Sequence, residues 1–188
     1  MLVARVGRKM KHLGDICIMN NSRVAADITN ALFELLKTRE LPQITITELI
    51  RKAGVCRASF YRHFYLTEDV IRQYGIALYE EINRKIPLDR NGIYEHILAV
   101  TDYLYAERER LGLIERRELY HLLEGPIVQQ CVFQLRRLDV WSNLYQAEFY
   151  AGAVTRLLRV WARNNFAESP DEISRIIYTL LNHEPLTP

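Results

Sequence analysis

Apolar residues recur along most of the chain at intervals of three and four positions, the spacing that places side chains on one face of an α-helix. The first such face is formed by Ile28, Ala31, Leu32, Leu35 and Leu36. We expect the helix that carries it to be capped by Ser22. Runs that alternate apolar and polar residues, as half-buried strands do, are hard to find. The pattern therefore predicts an all-α fold.

Two short helices joined by a tight turn are predicted next. Thr45 or Thr47 is placed to cap the first of them, and Glu48 stands three residues after Thr45, as in a capping box. Gly54 falls where the turn needs a residue that adopts a left-handed conformation without strain. The second short helix is predicted over 57–64. These are the parts of a helix-turn-helix.

A long helix is predicted to begin at Thr67 and to end before Pro87, because proline interrupts helical hydrogen bonds. Beyond it the periodicity predicts a larger bundle, with breaks at Gly112 and at Gly125-Pro126. The expected helices lie near 91–107, 113–124, 126–138, 140–164 and 171–183.

The last two predicted helices carry apolar seams suited to packing against other helices at a shallow angle. The seam of the 140–164 helix consists of Leu144, Ala147, Ala151, Val154, Leu158 and Trp161. The last helix places Ile173, Ile177 and Leu180 together. We divide the chain into a basic leader, 1–21, a helix-turn-helix domain, 22–66, and a C-terminal domain, 67–188.

Charge and cysteine usage narrow the class of protein. Residues 1–74 hold 12 Lys and Arg against 7 acidic residues, whereas residues 75–188 hold 13 against 16. An excess of basic residues in the N-terminal part suits a nucleic-acid contact confined to that part of the chain. The three cysteines, Cys17, Cys56 and Cys131, are widely spaced, so we expect neither disulfides nor a zinc site, and we expect a cytoplasmic location.

The second short helix carries the candidate chemistry, because in a helix-turn-helix this helix enters the major groove. The side chains expected to face outward are Arg57, Ala58, Ser59, Arg62 and His63. Phe60 and Phe64, four residues apart, should turn into the core. The arginine fork matches guanine, and serine can reach several base edges. The hydroxyl groups of Tyr61, Thr45 and Thr47 are candidate phosphate donors.

The segment "ITITELIRKAGVCRASFYRHFYLTEDV", residues 44–70, resembles the DNA-binding segment of TetR/AcrR-type transcriptional regulators. It has their Ile-Thr start, Ala-Gly-Val hinge and aromatic-bearing recognition helix in order, and the resemblance covers residues 22–72. The stretch "YAGAVTRLLRVWARNNFAESPDEISRII" is similar to the C-terminal part of the DhaS-type branch. The resemblance implies an all-helical fold of about nine helices, in which the seams of the last two form a four-helix dimer interface.

The resemblance also assigns roles to single residues. Tyr61 matches the family's phosphate-contacting tyrosine, and Thr45 matches the threonine at the start of its second helix. Cys56 stands where the family usually has a capping serine. Thr67 replaces a lysine that opens the fourth helix and pairs with phosphate. Threonine keeps a hydrogen bond but lacks the charge, so we expect DNA affinity to depend less on salt.

Two features have alternative interpretations. Cys56 stands beside arginine at a helix start and is open to a role as a redox sensor, but we favour a tolerated cap substitution because no resolving cysteine is evident nearby. The basic leader is either an arm that follows the minor groove or disordered sequence ahead of a true start at Met19. We favour the second interpretation, because the first helix begins cleanly at Ser22.

A ligand pocket between the middle helices of the C-terminal domain is implied by the resemblance. The candidate lining residues are Tyr103, His121, Phe133, Trp141 and Tyr145. An aromatic stripe at helical spacing is usually part of an ordinary core.

We therefore expect a homodimeric, sequence-specific DNA-binding regulator, a repressor of a palindromic operator that a small-molecule effector releases. The alternative is a transcriptional activator or co-regulator that acts through a protein partner bound to the C-terminal domain. Glycine-rich phosphate loops, metal-ligand motifs and nucleophile motifs do not occur in the sequence. We accordingly expect no enzymatic activity, no catalytic residue, no metal, no cofactor and no membrane partner.

Overall fold

The computed structural model describes residues 23–87, 92–137 and 143–182. Within these ranges the chain forms nine α-helices and one short 3₁₀ helix and contains no β-strand, which confirms the predicted all-α fold. The chain divides after Val70 into two compact units, which are described separately below. The predicted leader and the predicted cap at Ser22 lie outside the described residues.

The helices are numbered in chain order. Helix α1 covers 23–36, α2 Ile46–Ala53, α3 Arg57–His63, α4 Thr67–Lys85, α5 Ile93–Ala106, α6 Arg108–Arg116, α7 His121–Arg137, α8 Leu144–Arg163 and α9 Pro170–Leu181. The 3₁₀ helix Leu41–Gln43 lies between α1 and α2. Helix α4 begins in the first unit, and most of its length belongs to the second.

The first unit is built around one apolar face of α1. Ile28, Leu32 and Leu36 are fully buried, as their spacing of four residues on one helix face leads us to expect. Leu49 of α2 and Phe60 of α3 are fully buried as well. Helices of eight and seven residues are too short to be stable alone, so α2 and α3 depend on this burial.

The second unit is a helical bundle in which α5 packs against α9, and α8 packs against α6 and α7. A polar contact lies inside the α5–α9 interface, where the fully buried hydroxyl groups of Thr101 and Ser174 are 2.7 Å apart. Each hydroxyl also lies within hydrogen-bond distance of a backbone carbonyl, so neither is left unsatisfied by burial. The buried Trp161 donates its indole N–H to the Glu168 carbonyl at 2.9 Å.

The approach of α4 to α7 within the second unit depends on Gly75. A Cβ at this position would lie 2.7 Å from Cδ2 of Leu123 and 3.5 Å from Cδ1 of Ile127. Real Cβ atoms essentially never come within 3.0 Å of another heavy atom. The missing side chain therefore allows the two helices to come together here.

Two helix breaks predicted from glycine and proline do not occur. Gly112 lies inside α6, and Gly125-Pro126 lies inside α7. Pro126 falls in the second turn of α7, where it removes one hydrogen bond from a helix of 17 residues. Gly125 has no Cβ to clash with the proline ring in a helical conformation, so the helix continues.

The turn after α2 depends on the left-handed conformation of Gly54, which a substitution can test. Gly54 has φ +68°, and a Cβ built on it has no heavy atom within 4 Å. We expect Gly54→Ala to lower the free energy of unfolding by roughly 1–2 kcal/mol, because a side chain is strained in the left-handed region. Gly54→Asn should lower the free energy of unfolding by less, since asparagine tolerates this conformation better than alanine does. Urea unfolding followed by circular dichroism measures the stability of the parent and of both variants. Equal stability of Gly54→Ala and the parent would contradict a left-handed conformation at Gly54.

Candidate functional site

The start of α2 is fixed by a capping box and an ion pair. The Glu48 amide donates to Thr45 Oγ1 at 3.2 Å, and the Thr45 amide and hydroxyl both donate to Glu48 Oε2. Arg39 donates to the other carboxylate oxygen of Glu48 at 2.6 Å. The Arg39 hydrogen bond, followed by those from Thr45, lowers the pKa of Glu48 to about 2. The Thr45 hydroxyl therefore serves the cap, whereas Thr47 is exposed in the first turn of α2.

Helix α3 is oriented by the turn before it and by two buried rings. Gly54 and Val55 donate their N–H groups to carbonyls of α2 at 3.3 and 3.1 Å, which closes the turn. Phe60 and Phe64 are buried, as predicted, with their ring centroids 5.7 Å apart. Their burial turns the opposite side of α3 towards solvent.

Four side chains are exposed on that side, and we call them the α3 face. They are Arg57, Ala58, Tyr61 and Arg62. Arg57 Nη2 donates to Tyr61 Oη at 3.1 Å, and its guanidinium carbon lies 5.5 Å from the centroid of the Tyr61 ring. A guanidinium group has five N–H donors, so Arg57 retains donors for a further partner.

His63 was expected on the exposed side of α3, and the structure corrects this expectation. Its side chain is half-buried beside Phe64, with the ring centroids 5.9 Å apart. Position 63 is three residues after Phe60, so on a helix it lies near the buried face. Burial, together with the positive charge of Arg62, lowers the pKa of His63, so the imidazole is mainly neutral at pH 7. His63 therefore belongs to the packing of α3.

Cys56 and Ser59 interact with each other at the start of α3. Cys56 occupies the N-cap position, but its side chain makes no capping hydrogen bond. Its sulfur lies 3.2 Å from Ser59 Oγ, which places the half-buried Ser59 beside it. The Ser59 side chain, followed by the Ser59 amide, lowers the pKa of the exposed Cys56 thiol.

The segment between α3 and α4 holds an exposed pair that sequence reasoning missed. Tyr65 and Leu66 are 79% and 55% exposed. The Asp69 carboxylate accepts hydrogen bonds from both of their amides, at 3.1 and 2.9 Å, and so fixes the segment. Thr67, the predicted phosphate contact, donates to Glu68 at 3.2 Å. In the sequence, this pair is marked only by two large residues that stand directly before the Thr-Glu-Asp start of a helix.

The seam residues predicted for a dimer interface pack mainly inside the second unit. The buried ones are Ala147, Ala151, Trp161, Ile173 and Ile177. Val154 and Leu158 line a partly open cavity, and Leu144 and Leu180 are exposed. Three-and-four spacing marks an apolar face but does not say which helix covers it. Here α7 packs on α8 and α5 packs on α9, so helices of the same chain cover most of both seams.

A different side of α8 carries large exposed residues. Tyr145 and Phe149 are 83% and 59% exposed, and their spacing of four places them one turn apart on the same side. We call this pair the outer face of α8. Phe133 of α7 is exposed too. Phe133 and Tyr145 were both expected in a pocket, because sequence alone does not distinguish an aromatic residue that faces solvent from one that lines a cavity.

A cavity of about 210 Å³ lies within the second unit. Its aliphatic wall includes Leu78, Ile82, Ile97, Val100, Leu104, Ile127, Val154 and Leu158. The lining differs from the expected one: Tyr103, His121, Phe133 and Tyr145 do not contribute to it, and Trp141 lies outside the described residues. His121 is exposed, and its Nδ1 lies 2.9 Å from the Glu118 carbonyl.

Membrane-spanning and metal-binding features are both missing from residues 23–87, 92–137 and 143–182. No helix there is long and apolar enough to cross a membrane. No three histidine, cysteine or acidic side chains in the same ranges group closely enough to hold a metal ion.

Comparison with known sequences gives a weak relationship to a transcriptional regulator. No family model matches the chain. The uncharacterised HTH-type transcriptional regulator YxbF of Bacillus subtilis (strain 168) is 24% identical over 171 residues. The match covers 85% of this chain and 45% of YxbF, so the chain spans less than half the length of this curated relative.

Comparison with solved structures identifies the fold. A TetR transcriptional regulator from Streptococcus agalactiae 2603V matches with a TM-score of 0.57 at 15% identity, over 89% of this chain and 98% of that one. The chain has the fold of TetR-family regulators. The TetR family repressor AlkX of Dietzia sp. strain DQ12-45-1b is implicated in biodegradation of n-alkanes. It matches with a TM-score of 0.53 at 16% identity, over 85% of this chain and 94% of that one. The fatty acid degradation regulator FadR of Bacillus halodurans matches with a TM-score of 0.55 at 12% identity, over 84% of this chain and 94% of that one.

Glu48 links the stability of the first unit to pH. Its pKa falls from 4.5 to about 2, so its stabilising contribution is fully present above pH 4.5 and is lost as the pH falls towards 2. We expect Glu48→Gln to flatten the pH dependence of stability between these values. Arg39→Gln should raise the pKa of Glu48 only part of the way to 4.5, because the Thr45 bonds remain. NMR titration of the Glu48 carboxyl group measures this shift, and an unchanged pKa in Arg39→Gln would rule out the ion pair as its main cause.

Proposed function

We propose that the protein is a sequence-specific DNA-binding transcriptional regulator of the TetR family. The observation that carries the proposal is the exposed Arg57–Tyr61 pair on the second of two short helices joined by a glycine turn. In a helix-turn-helix, the N-terminal residues of this helix contact base edges, and Arg57 is its first residue. An arginine fork pairs with O6 and N7 of guanine, while Tyr61 and Arg62 suit phosphate oxygens.

The remaining predicted DNA-binding residues divide into contacting and positioning groups in this proposal. Thr47 of α2 and Ala58 of the α3 face are exposed and belong to the contacting group. Thr45, Ser59, His63 and Thr67 act through neighbours: Thr45 caps α2, Ser59 contacts Cys56, His63 packs beside Phe64, and Thr67 contacts Glu68.

We propose further that the protein acts as a homodimeric repressor at a palindromic operator. The two-fold axis of a dimer presents two identical recognition helices to two half-sites. The comparisons support a regulator, since two of the three structural neighbours are named as regulators and AlkX is named as a repressor. A small-molecule effector bound in the cavity of the second unit would lower the affinity for the operator.

The DNA sequences that the protein retains test the regulator proposal directly. Purified protein is mixed with fragmented genomic DNA of its own source, and the retained fragments are sequenced at two salt concentrations. We expect enrichment of one palindromic site that persists at the higher salt, because base contacts add to the salt-dependent phosphate contacts. Uniform retention that disappears at the higher salt would be evidence against sequence-specific binding.

Single arginine substitutions separate base contacts from phosphate contacts. At the enriched site, Arg57→Ala should weaken binding by about 5–150-fold, the loss of one bidentate base contact of about 1–3 kcal/mol. Arg62→Ala should weaken binding to all sequences and reduce the salt slope by about one. Fluorescence anisotropy with labelled DNA measures both effects. Arg175→Ala removes an exposed arginine from α9 and serves as the control; if it weakened binding as much as Arg57→Ala, the α3 face would not be the contact.

The outer face of α8 is proposed as part of the contact between two copies. Large apolar residues exposed together on a folded chain mark interaction sites. We expect Phe149→Asp to convert a dimer to a monomer, because the interface would bury a carboxylate without a partner. Light scattering coupled to size-exclusion chromatography measures the mass. Tyr65→Asp changes an exposed aromatic residue of the first unit and should leave the mass unchanged; a dimeric Phe149→Asp protein would place the interface elsewhere.

The same exposed face supports a second candidate function. An apolar face on α8 can hold a different protein in a transcriptional activator or co-regulator, as the similarity of residues 150–177 to the DhaS-type branch implies. A monomeric parent chain that forms a stoichiometric complex with another protein, lost in Phe149→Asp, would favour this alternative over the homodimer.

A further inference from the structure

The described part of the cavity wall in the second unit is uncharged. Among residues 23–87, 92–137 and 143–182, those that line it include no aspartate, glutamate, lysine or arginine. A charged ligand group placed against this wall would lose part of its hydration and would meet no counter-ion among these residues. The free-energy cost of burying an unpaired charge is large. The wall therefore selects against ionised ligands.

Several polar side chains in the wall already have partners within the protein. The Thr155 hydroxyl donates to the Ala151 carbonyl at 2.7 Å, and the Tyr120 hydroxyl donates to the Thr155 carbonyl at 3.1 Å. The Thr101 hydroxyl is engaged with Ser174 and with backbone carbonyls. These hydroxyl groups offer a ligand little hydrogen-bonding capacity beyond what they already use.

Asn83, His96 and Gln134 supply the other amide and imidazole groups of the wall. Burial lowers the pKa of His96, which favours the neutral imidazole in the empty cavity. Such neutral groups can form a hydrogen bond with a neutral ligand, and they fix its orientation within an otherwise apolar cavity.

The volume of the cavity limits the size of the ligand. Apolar protein cavities of about 150 Å³ remain dry and take up benzene. The cavity here is about 210 Å³, so it accommodates a ring with a short branch or an alkyl chain of similar bulk.

We propose that the cavity binds a neutral, largely apolar molecule somewhat larger than benzene and excludes a carboxylate of the same size. The proposal names the ligand class of the effector and rests on the proposed function for its regulatory meaning. Binding itself can be measured without DNA, so the two proposals are tested separately.

Cumene and benzoate form a matched pair of probes, because a neutral isopropyl group in one replaces a carboxylate in the other. Calorimetry on the full chain measures the affinity for each probe. Trp161 lines the cavity and reports occupancy by fluorescence when the second tryptophan is removed by Trp141→Phe. We expect saturable cumene binding with a change in Trp161 emission, and benzoate binding weaker by at least about a hundredfold.

Two valine substitutions on α8 locate the binding. Val154 lines the cavity, and Val154→Phe should weaken cumene binding by at least about tenfold by filling the space. Val160 is exposed on the same helix, and Val160→Phe should leave the affinity unchanged. Circular dichroism verifies that each variant is folded. If Val154→Phe does not fold, the comparison of cumene with benzoate on the parent chain still decides the ligand class.

Equal affinity for cumene and benzoate would overturn the proposal, and so would the absence of saturable cumene binding to the folded parent chain. Retention of a palindromic DNA site by the same preparation would show that the regulator function stands even where the ligand proposal fails. Loss of specific DNA retention together with selective cumene binding would leave the ligand class standing and remove the regulator function.

Discussion

Burial of Phe60 and Phe64 on one side of α3 is the constraint on which the orientation of the α3 face depends. The helix has seven residues, too few to persist without tertiary contacts. Because both rings are buried, the helix cannot rotate about its axis without exposing them. Tyr61 and Arg62 follow Phe60 directly, so helical geometry carries them away from the core. The position of every exposed donor on the α3 face is thus set by two apolar side chains that would not touch DNA.

Local features of the first unit could be predicted from sequence because a few neighbouring residues determine them. The capping box of Thr45 and Glu48 requires residues three apart, and both of its hydrogen bonds are present. Gly54 could be placed in the turn because a left-handed φ favours glycine. The ion pair between Arg39 and Glu48 spans nine positions, and no periodicity in the sequence indicates it.

Features that depend on which helices meet could not be predicted in the same way. The spacing of Ala147 and Ala151 predicted an apolar seam correctly, but the covering helix belongs to the same chain. Gly125-Pro126 predicted a break, yet a proline near the start of a long helix removes too little hydrogen bonding to end it. The cavity is lined largely by aliphatic residues from several helices, so no single stretch of sequence marks it.

The hydrogen bonds that organise the first unit also affect how it would search for a site on DNA. Asp69 occupies the amides of Tyr65 and Leu66, and Glu48 occupies the amide and hydroxyl of Thr45. Backbone amides and hydroxyls of this kind are common phosphate donors, and here they are already engaged. Neutral donors carry no charge, so the release of counterions from DNA would depend on cationic side chains such as the exposed Arg57 and Arg62. A regulator built this way would hold non-specific DNA mainly through its arginine and lysine side chains, so a rise in salt concentration would shorten its stay on non-specific sites.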